Sequence, residues 1–248
     1  MSQARWDFTG KTAVVTGGSG GIGAAIVRSL AQAGAKVFFT YSSDVKAAQA
    51  LEEQYNQSEV RVHAIQANFT SETDLGRLLE QMADEPIDYL VNNAGMLRDG
   101  PLYKMPDADW RDVLQVNLHA LFTVTKKLIP VLAPKAGAIV NISSVSGISG
   151  AAGQVNYSTA KAGVHGFTRA LAREVGPLGV RVNAIAPGFV ETDMLLMIKP
   201  QKKRELHRDI PLRRLGKPQE IAETTLFLLS DSAAYMTGSV VVVDGGLY

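Results

Sequence analysis

In 248 residues, 25 lysines and arginines stand against 24 aspartates and glutamates, and cysteine is absent. The even charge removes the basic field that a nucleic-acid partner needs, and the missing thiols exclude disulfides, thiolate metal sites and cysteine nucleophiles. With 46% hydrophobic and 20% charged residues, the composition is that of a globular protein, long enough to bury a core without covalent staples.

The opening MSQARWDFTGK lacks the apolar stretch of a secretory signal. No apolar run reaches the roughly 18 residues of a membrane span, so a cytoplasmic protein with no membrane contact is expected. Lys11–Thr16 (KTAVVT) is predicted as a strand, and Gly21–Ala33 as a helix that Gly34 stops. Lys36–Tyr41 follows as a strand, Asp44–Gln57 as a helix and Val60–Gln66 as a third strand. The helix Ser71–Ala83 opens with Ser71 and Asp74 at capping-box spacing. Ile87–Asn92 is the fourth strand, Asp107–Leu132 one long helix, and Ala138–Ser143 the fifth strand. Helix Asn156–Val175, strand Val180–Ala186, helix Pro218–Leu229 and strand Ser239–Asp244 complete the chain. Strands that are apolar nearly throughout and alternate with helices predict a parallel sheet covered on both faces. The expected fold is a single-domain, Rossmann-type, doubly wound α/β sheet of about seven strands. Phe189–Gly216 breaks the rhythm and reads as a substrate lid or as a plain surface excursion. The Lys126-Lys127 and Lys202-Lys203-Arg204 clusters read as solvated faces.

Between the first strand and first helix stands Thr16-Gly17-Gly18-Ser19-Gly20-Gly21-Ile22-Gly23. Gly18, Gly20 and Gly23 satisfy G-x-G-x-x-G, and Gly17, Gly21 and Gly23 satisfy T-G-x-x-x-G-x-G, in the strand-to-helix context the motif needs. Such a turn lets a pyrophosphate approach the backbone at a helix N-terminus. A dinucleotide site would carry an acid at the end of the second strand to hold the ribose diol. Here Tyr41, Ser42 and Ser43 stand there, which favours NADP(H), while nearby Asp44 keeps NAD(H) open. Asn68, with Phe69 beside it, either meets the adenine or is a simple turn residue.

Tyr157 and Lys161 share a helix face at i, i+4 in YSTAK. An adjacent ammonium favours tyrosinate and draws the phenol down from about 10, which suits a general acid toward a developing alkoxide. Ser144 follows the fifth strand, placed to donate to the same oxygen. Alone, a Tyr-x-x-x-Lys pair is more often structural. His63, His119, His165 and His207 show no metal-ligand spacing, so no metal is expected and each reads as a surface or packing residue.

Thr16–Gly23, Asn92-Asn93-Ala94-Gly95, Asn117, Ser144, Tyr157, Lys161 and Pro187-Gly188, in that order over nearly the whole chain, resemble the short-chain dehydrogenase/reductase family. The resemblance implies that Tyr157 is the acid/base and that Ser144 orients the carbonyl. It also implies that Lys161 holds the nicotinamide ribose and tunes Tyr157, and that Asn117 anchors a relay water. Cofactor contacts are implied at Gly17, Ser19, Gly20, Gly21, Ile22, Gly23, Tyr41, Ser42, Ser43, Asn68 and Phe69. Others are implied at Asn93, Ala94, Gly95, Tyr157, Lys161, Pro187, Gly188, Val190 and Thr192.

Arg98-Asp99-Gly100, Leu171–Val175, Ala186–Met194 and Val243-Asp244-Gly245-Gly246 are most similar to the 3-oxoacyl-[acyl-carrier-protein] reductases. That similarity implies hydride transfer from NADPH to a small-molecule or carrier-bound 3-oxoacyl substrate, in a homotetramer. Gly20 replaces a basic residue frequent in the family, and Leu178 replaces one frequent in carrier docking, where Lys135 remains. Two alternatives are a related reductase of free ketones or polyketides, and a non-catalytic nucleotide sensor on the same fold.

Overall fold

The computed structural model describes residues 6–56, 61–82, 85–192 and 206–248. The strands are β1 (Thr12–Val15), β2 (Lys36–Tyr41), β3 (Val62–Gln66), β4 (Tyr89–Asn92), β5 (Ala138–Ile142), β6 (Arg181–Pro187) and β7 (Val240–Val243). All pair in parallel, in the order β3-β2-β1-β4-β5-β6-β7. The helices are α1 (Gly21–Gln32), α2 (Val45–Tyr55), α3 (Glu72–Met82), α4 (Asp107–Leu114), α5 (Ala120–Leu132), α6 (Ser146–Ser149), α7 (Val155–Val175) and α8 (Pro218–Leu229).

Side chains alternate across the sheet and divide the interior into two cores. Ala13, Val15, Val37, Phe39 and Val140 join α1, α2 and α8 on one face. Val14, Phe38, Leu90 and Ile139 join α3, α5 and α7 on the other. The strand order reverses direction between β1 and β4. That reversal opens a crevice at the carboxyl edge, where such sheets bind ligands. Among the described residues, no helix is long and apolar enough to cross a membrane. Nor does any group of three or more His, Asp or Glu side chains stand together as a metal site.

The predicted helix Asp107–Leu132 is interrupted. A π-turn, Gln115–His119, separates α4 from α5 and points Asn117 inward, where its amide donates to Val113 O and Met96 O, both at 2.9 Å. The short helix α6 was not expected from the sequence. At Ser71 the capping box forms by half. Asp74 N–H donates to Ser71 Oγ at 3.3 Å, but the Asp74 carboxylate accepts from Asn68 N–H instead. The predicted ends at Gln57, Val60 and Ala83, and residues 193–205 of the Phe189–Gly216 segment, lie outside the described residues. On α7 the buried face carries Ala160, Lys161, Val164 and Thr168, while Thr159, Ala162, Gly166 and Ala170 form an exposed stripe of small residues.

Candidate active site

Past β1 the chain turns through Gly17 at φ +66°, a conformation that favours glycine. Gly17 N–H donates to Thr40 Oγ1 at 2.9 Å. Gly23 serves approach rather than turning, because a Cβ there would lie 2.1 Å from Gly17 O. The loop after β4 is sewn onto this turn. Asn93 donates from its side chain to Thr16 O and Gly17 O, while Thr16 Oγ1 accepts from Asn93 N–H and Ala94 N–H. Gly20 caps α1 without a side-chain bond, and the first turn holds no acid. The N–H groups of that turn and the positive end of the helix dipole are therefore free for an anion.

At the end of β2, Tyr41, Ser42 and Ser43 line the same cleft. Asp44 also borders it, but its carboxylate caps α2, accepting from Ala47 N–H at 3.0 Å. Asn68 makes an Asx-type turn, accepting from Thr70 N–H at 3.1 Å and Thr70 Oγ1 at 2.9 Å, and it lines the cleft as well.

The cleft is about 1170 Å³ and runs along the carboxyl edge from the glycine loop to Ser144 and Tyr157. Ligand pockets commonly span about 300–1,000 Å³, so a dinucleotide and a second molecule fit together. Every residue expected at the cofactor lines it, as do Ser144, Tyr157 and Lys161. Asn117 does not reach the surface of the cleft. It stands behind Gly95, where a Cβ would lie 2.8 Å from Asn117 Oδ1 and 3.7 Å from Lys161 Nζ. That Oδ1 is buried and has no hydrogen-bond partner, an acceptor left open for a water or ligand donor.

Lys161 is buried and donates to Ile142 O at 2.9 Å. Its Nζ sits 5.5 Å from the centre of the Tyr157 ring. Burial pushes this ammonium down to about 8. Tyr157 departs from the sequence expectation, since its phenol is pushed up to about 12. Burial strips water from the phenolate and dominates; the Ser144 hydroxyl offsets part of this, and Asp99 adds to it. The Lys161 ammonium is turned to Ile142 O rather than to the phenol oxygen. Tyr157 thus retains its proton, the state a proton donor needs.

Beyond Ser144 lies a polar wall that sequence spacing did not reveal. Ser146 N–H donates to Ser144 Oγ at 3.1 Å, Ser146 Oγ to Gln154 Oε1 at 3.2 Å, and Gln154 Nε2 to Asp99 Oδ2 at 2.9 Å. Asp99 and Gln154 are 55 positions apart and meet where the segments that carry them border the cleft. Lys135 is exposed but precedes β5, at the amino edge. It is separated from Ser144 by the whole strand, roughly 16 Å at about 3.3 Å per residue.

Comparison with known proteins agrees with this arrangement. The family model described as Enoyl-(Acyl carrier protein) reductase matches residues 17–248. Among curated proteins, the 3-oxoacyl-[acyl-carrier-protein] reductase FabG of Aquifex aeolicus is 45% identical, over 96% of this chain and 98% of its own length. The protein of the same name from Escherichia coli is 42% identical over 98% and 99%. That of Chlamydia trachomatis is 41% identical over 96% and 97%. The chain belongs to the short-chain dehydrogenase/reductase family, oxidoreductases that work with a nicotinamide cofactor.

Proposed function

We propose that this protein is a cytoplasmic 3-oxoacyl-[acyl-carrier-protein] reductase that uses NADPH, with Tyr157 as the proton donor. The observation that carries the reading is the convergence of Ser144, Tyr157 and Lys161 at the carboxyl edge, in one cleft with the glycine loop. The uncapped N-terminus of α1 suits the pyrophosphate. Tyr41, Ser42 and Ser43 offer neutral donors to a 2′-phosphate, and the Asp44 carboxylate is already engaged in capping. NADPH supplies the hydride.

The residues do the rest. Ser144 donates a hydrogen bond to the 3-oxo oxygen and orients it. Tyr157 Oη gives that oxygen its proton as negative charge develops. Lys161, cationic below about pH 8, holds positive charge beneath the ring of Tyr157 and reaches for the ribose hydroxyls. The open Oδ1 of Asn117 anchors a water that returns a proton through Lys161. The full-length relatives, all named for 3-oxoacyl reduction, favour a carbonyl over the carbon–carbon double bond in the family model's description.

The test is NADPH oxidation with acetoacetyl and crotonyl thioesters and with a free ketone. Turnover of the acetoacetyl thioester well above the other two is expected, and preference for crotonyl or for the ketone overturns the substrate. Tyr157→Phe removes only a hydroxyl and is expected to lower kcat on the order of 10²–10⁴-fold, as loss of general acid catalysis does, with NADPH binding retained. Near-normal turnover in Tyr157→Phe overturns the mechanism.

A further inference from the structure

Next to Ser144, the side chain of Ser143 engages the interior. Ser143 and His165 are both buried, and Ser143 Oγ lies 2.7 Å from His165 Nε2. The same hydroxyl donates to the carbonyl of Lys161 at 3.0 Å. A hydroxyl has one proton. With that proton given to Lys161 O, the imidazole donates from Nε2, and only the Nε2–H tautomer satisfies both bonds. Burial, with the cations of Arg169 and Lys161, holds the imidazole below its ordinary pKa, in keeping with a neutral ring.

Lys161 Nζ meanwhile donates to Ile142 O at 2.9 Å. The carboxyl end of β5 is therefore fastened to one turn of α7 at two successive residues, Ile142 and Ser143, immediately before Ser144. That turn of α7 carries Lys161, and Tyr157 stands one turn earlier. Packing alone does not require histidine at this place, since an aliphatic side chain fills it without a polar partner.

We propose that His165 and Ser143 are positioning residues that set the separation between the hydroxyls of Ser144 and Tyr157. His165 does not line the cleft, so it acts through Ser143 and the carbonyl of Lys161. The inference rests on the reading of Ser144 and Tyr157 as the pair that holds the carbonyl oxygen. Proton and hydride transfer tolerate little displacement, and an error of about 1 Å costs on the order of 10²-fold.

His165→Leu keeps bulk and removes the donor, His165→Gln places an amide N–H near the position of Nε2, and Ser143→Ala removes one oxygen. In His165→Leu and Ser143→Ala, kcat is expected to fall about tenfold or more, with KM for NADPH changed less than about twofold. His165→Gln should recover most of the loss. The double variant should be no worse than the poorer single one, because both break the same link. Wild-type kcat in His165→Leu, no recovery in His165→Gln, or losses that multiply in the double variant would each overturn the proposal. Circular dichroism identifies a variant that does not fold; should His165→Leu be one, Ser143→Ala decides alone. Tyr157→Phe is assayed alongside. An active Tyr157→Phe overturns the reading of the site, whereas an inactive one beside a fully active Ser143→Ala overturns only the positioning role.

Discussion

At Gly20 a side chain has room to grow. A Cβ there meets nothing within 4 Å, and φ −148° suits any residue. The position borders the cleft together with Tyr41 and Ser42, where the 2′-phosphate of NADPH would lie. Gly20→Arg is expected to raise the NADPH-over-NADH ratio of kcat/KM by about tenfold or more, the scale of one charge-assisted hydrogen bond. Tyr41→Asp should shrink or reverse the wild-type preference by repelling the phosphate. Steady-state kinetics with both cofactors checks the pair, and a wild-type enzyme that favours NADH refutes the NADP(H) reading. The second residue-scale expectation concerns Lys161. With its ammonium pushed down to about 8, the charge is present below that pH and lost above it. Because kcat/KM reports groups of the free enzyme, kcat/KM for NADPH should fall as pH rises through about 8. In Lys161→Arg, if active, that limb should vanish, because arginine keeps its charge. The glycine loop and the Tyr157–Lys161 pair were legible because their chemistry is local, set by spacing within one turn. The raised value of Tyr157 was not, because burial is a property of everything folded around the ring.

Among the elements, strands were read most faithfully, since a strand buried on both faces is apolar at nearly every position and leaves little ambiguity. The π-turn at Gln115–His119 escaped notice because apolar periodicity runs through it from α4 to α5; only its buried Asn117 marks the widening, which often accompanies a functional site. The wall of Ser146, Gln154 and Asp99 escaped for another reason, since contacts between distant loops leave no periodic trace. The loop carrying Asp99 continues into exposed Lys104, which lies on the catalytic edge, whereas Lys135 lies at the opposite edge. Lys104→Glu is therefore expected to raise KM for a carrier-bound substrate several-fold while leaving a small thioester unaffected, as a rim charge acts on encounter. Lys135→Glu should change neither in an isolated protomer. Equal effects of Lys104→Glu on both substrates would dismiss docking at this loop.

For the whole molecule, the parallel, doubly wound sheet was implied by strand–helix alternation, but its strand order and the partners of its surface were not. The exposed stripe of Thr159, Ala162, Gly166 and Ala170 on α7 would let a second helix approach closely. We propose a homotetramer, expected as a single species of about four chain masses by light scattering at micromolar concentration; a monomer there counts against it. Ala162→Glu and Gly166→Glu should dissociate it by placing charge in the seam.

The stripe belongs to the same helix that carries Tyr157 and Lys161. If neighbouring protomers clamp that helix, specific activity becomes a function of enzyme concentration. Progress curves begun from a dilute stock should then start slowly or fade with time, and should recover when the stock is concentrated. Rates measured at nanomolar enzyme would report the strength of the seam as much as the chemistry of the cleft.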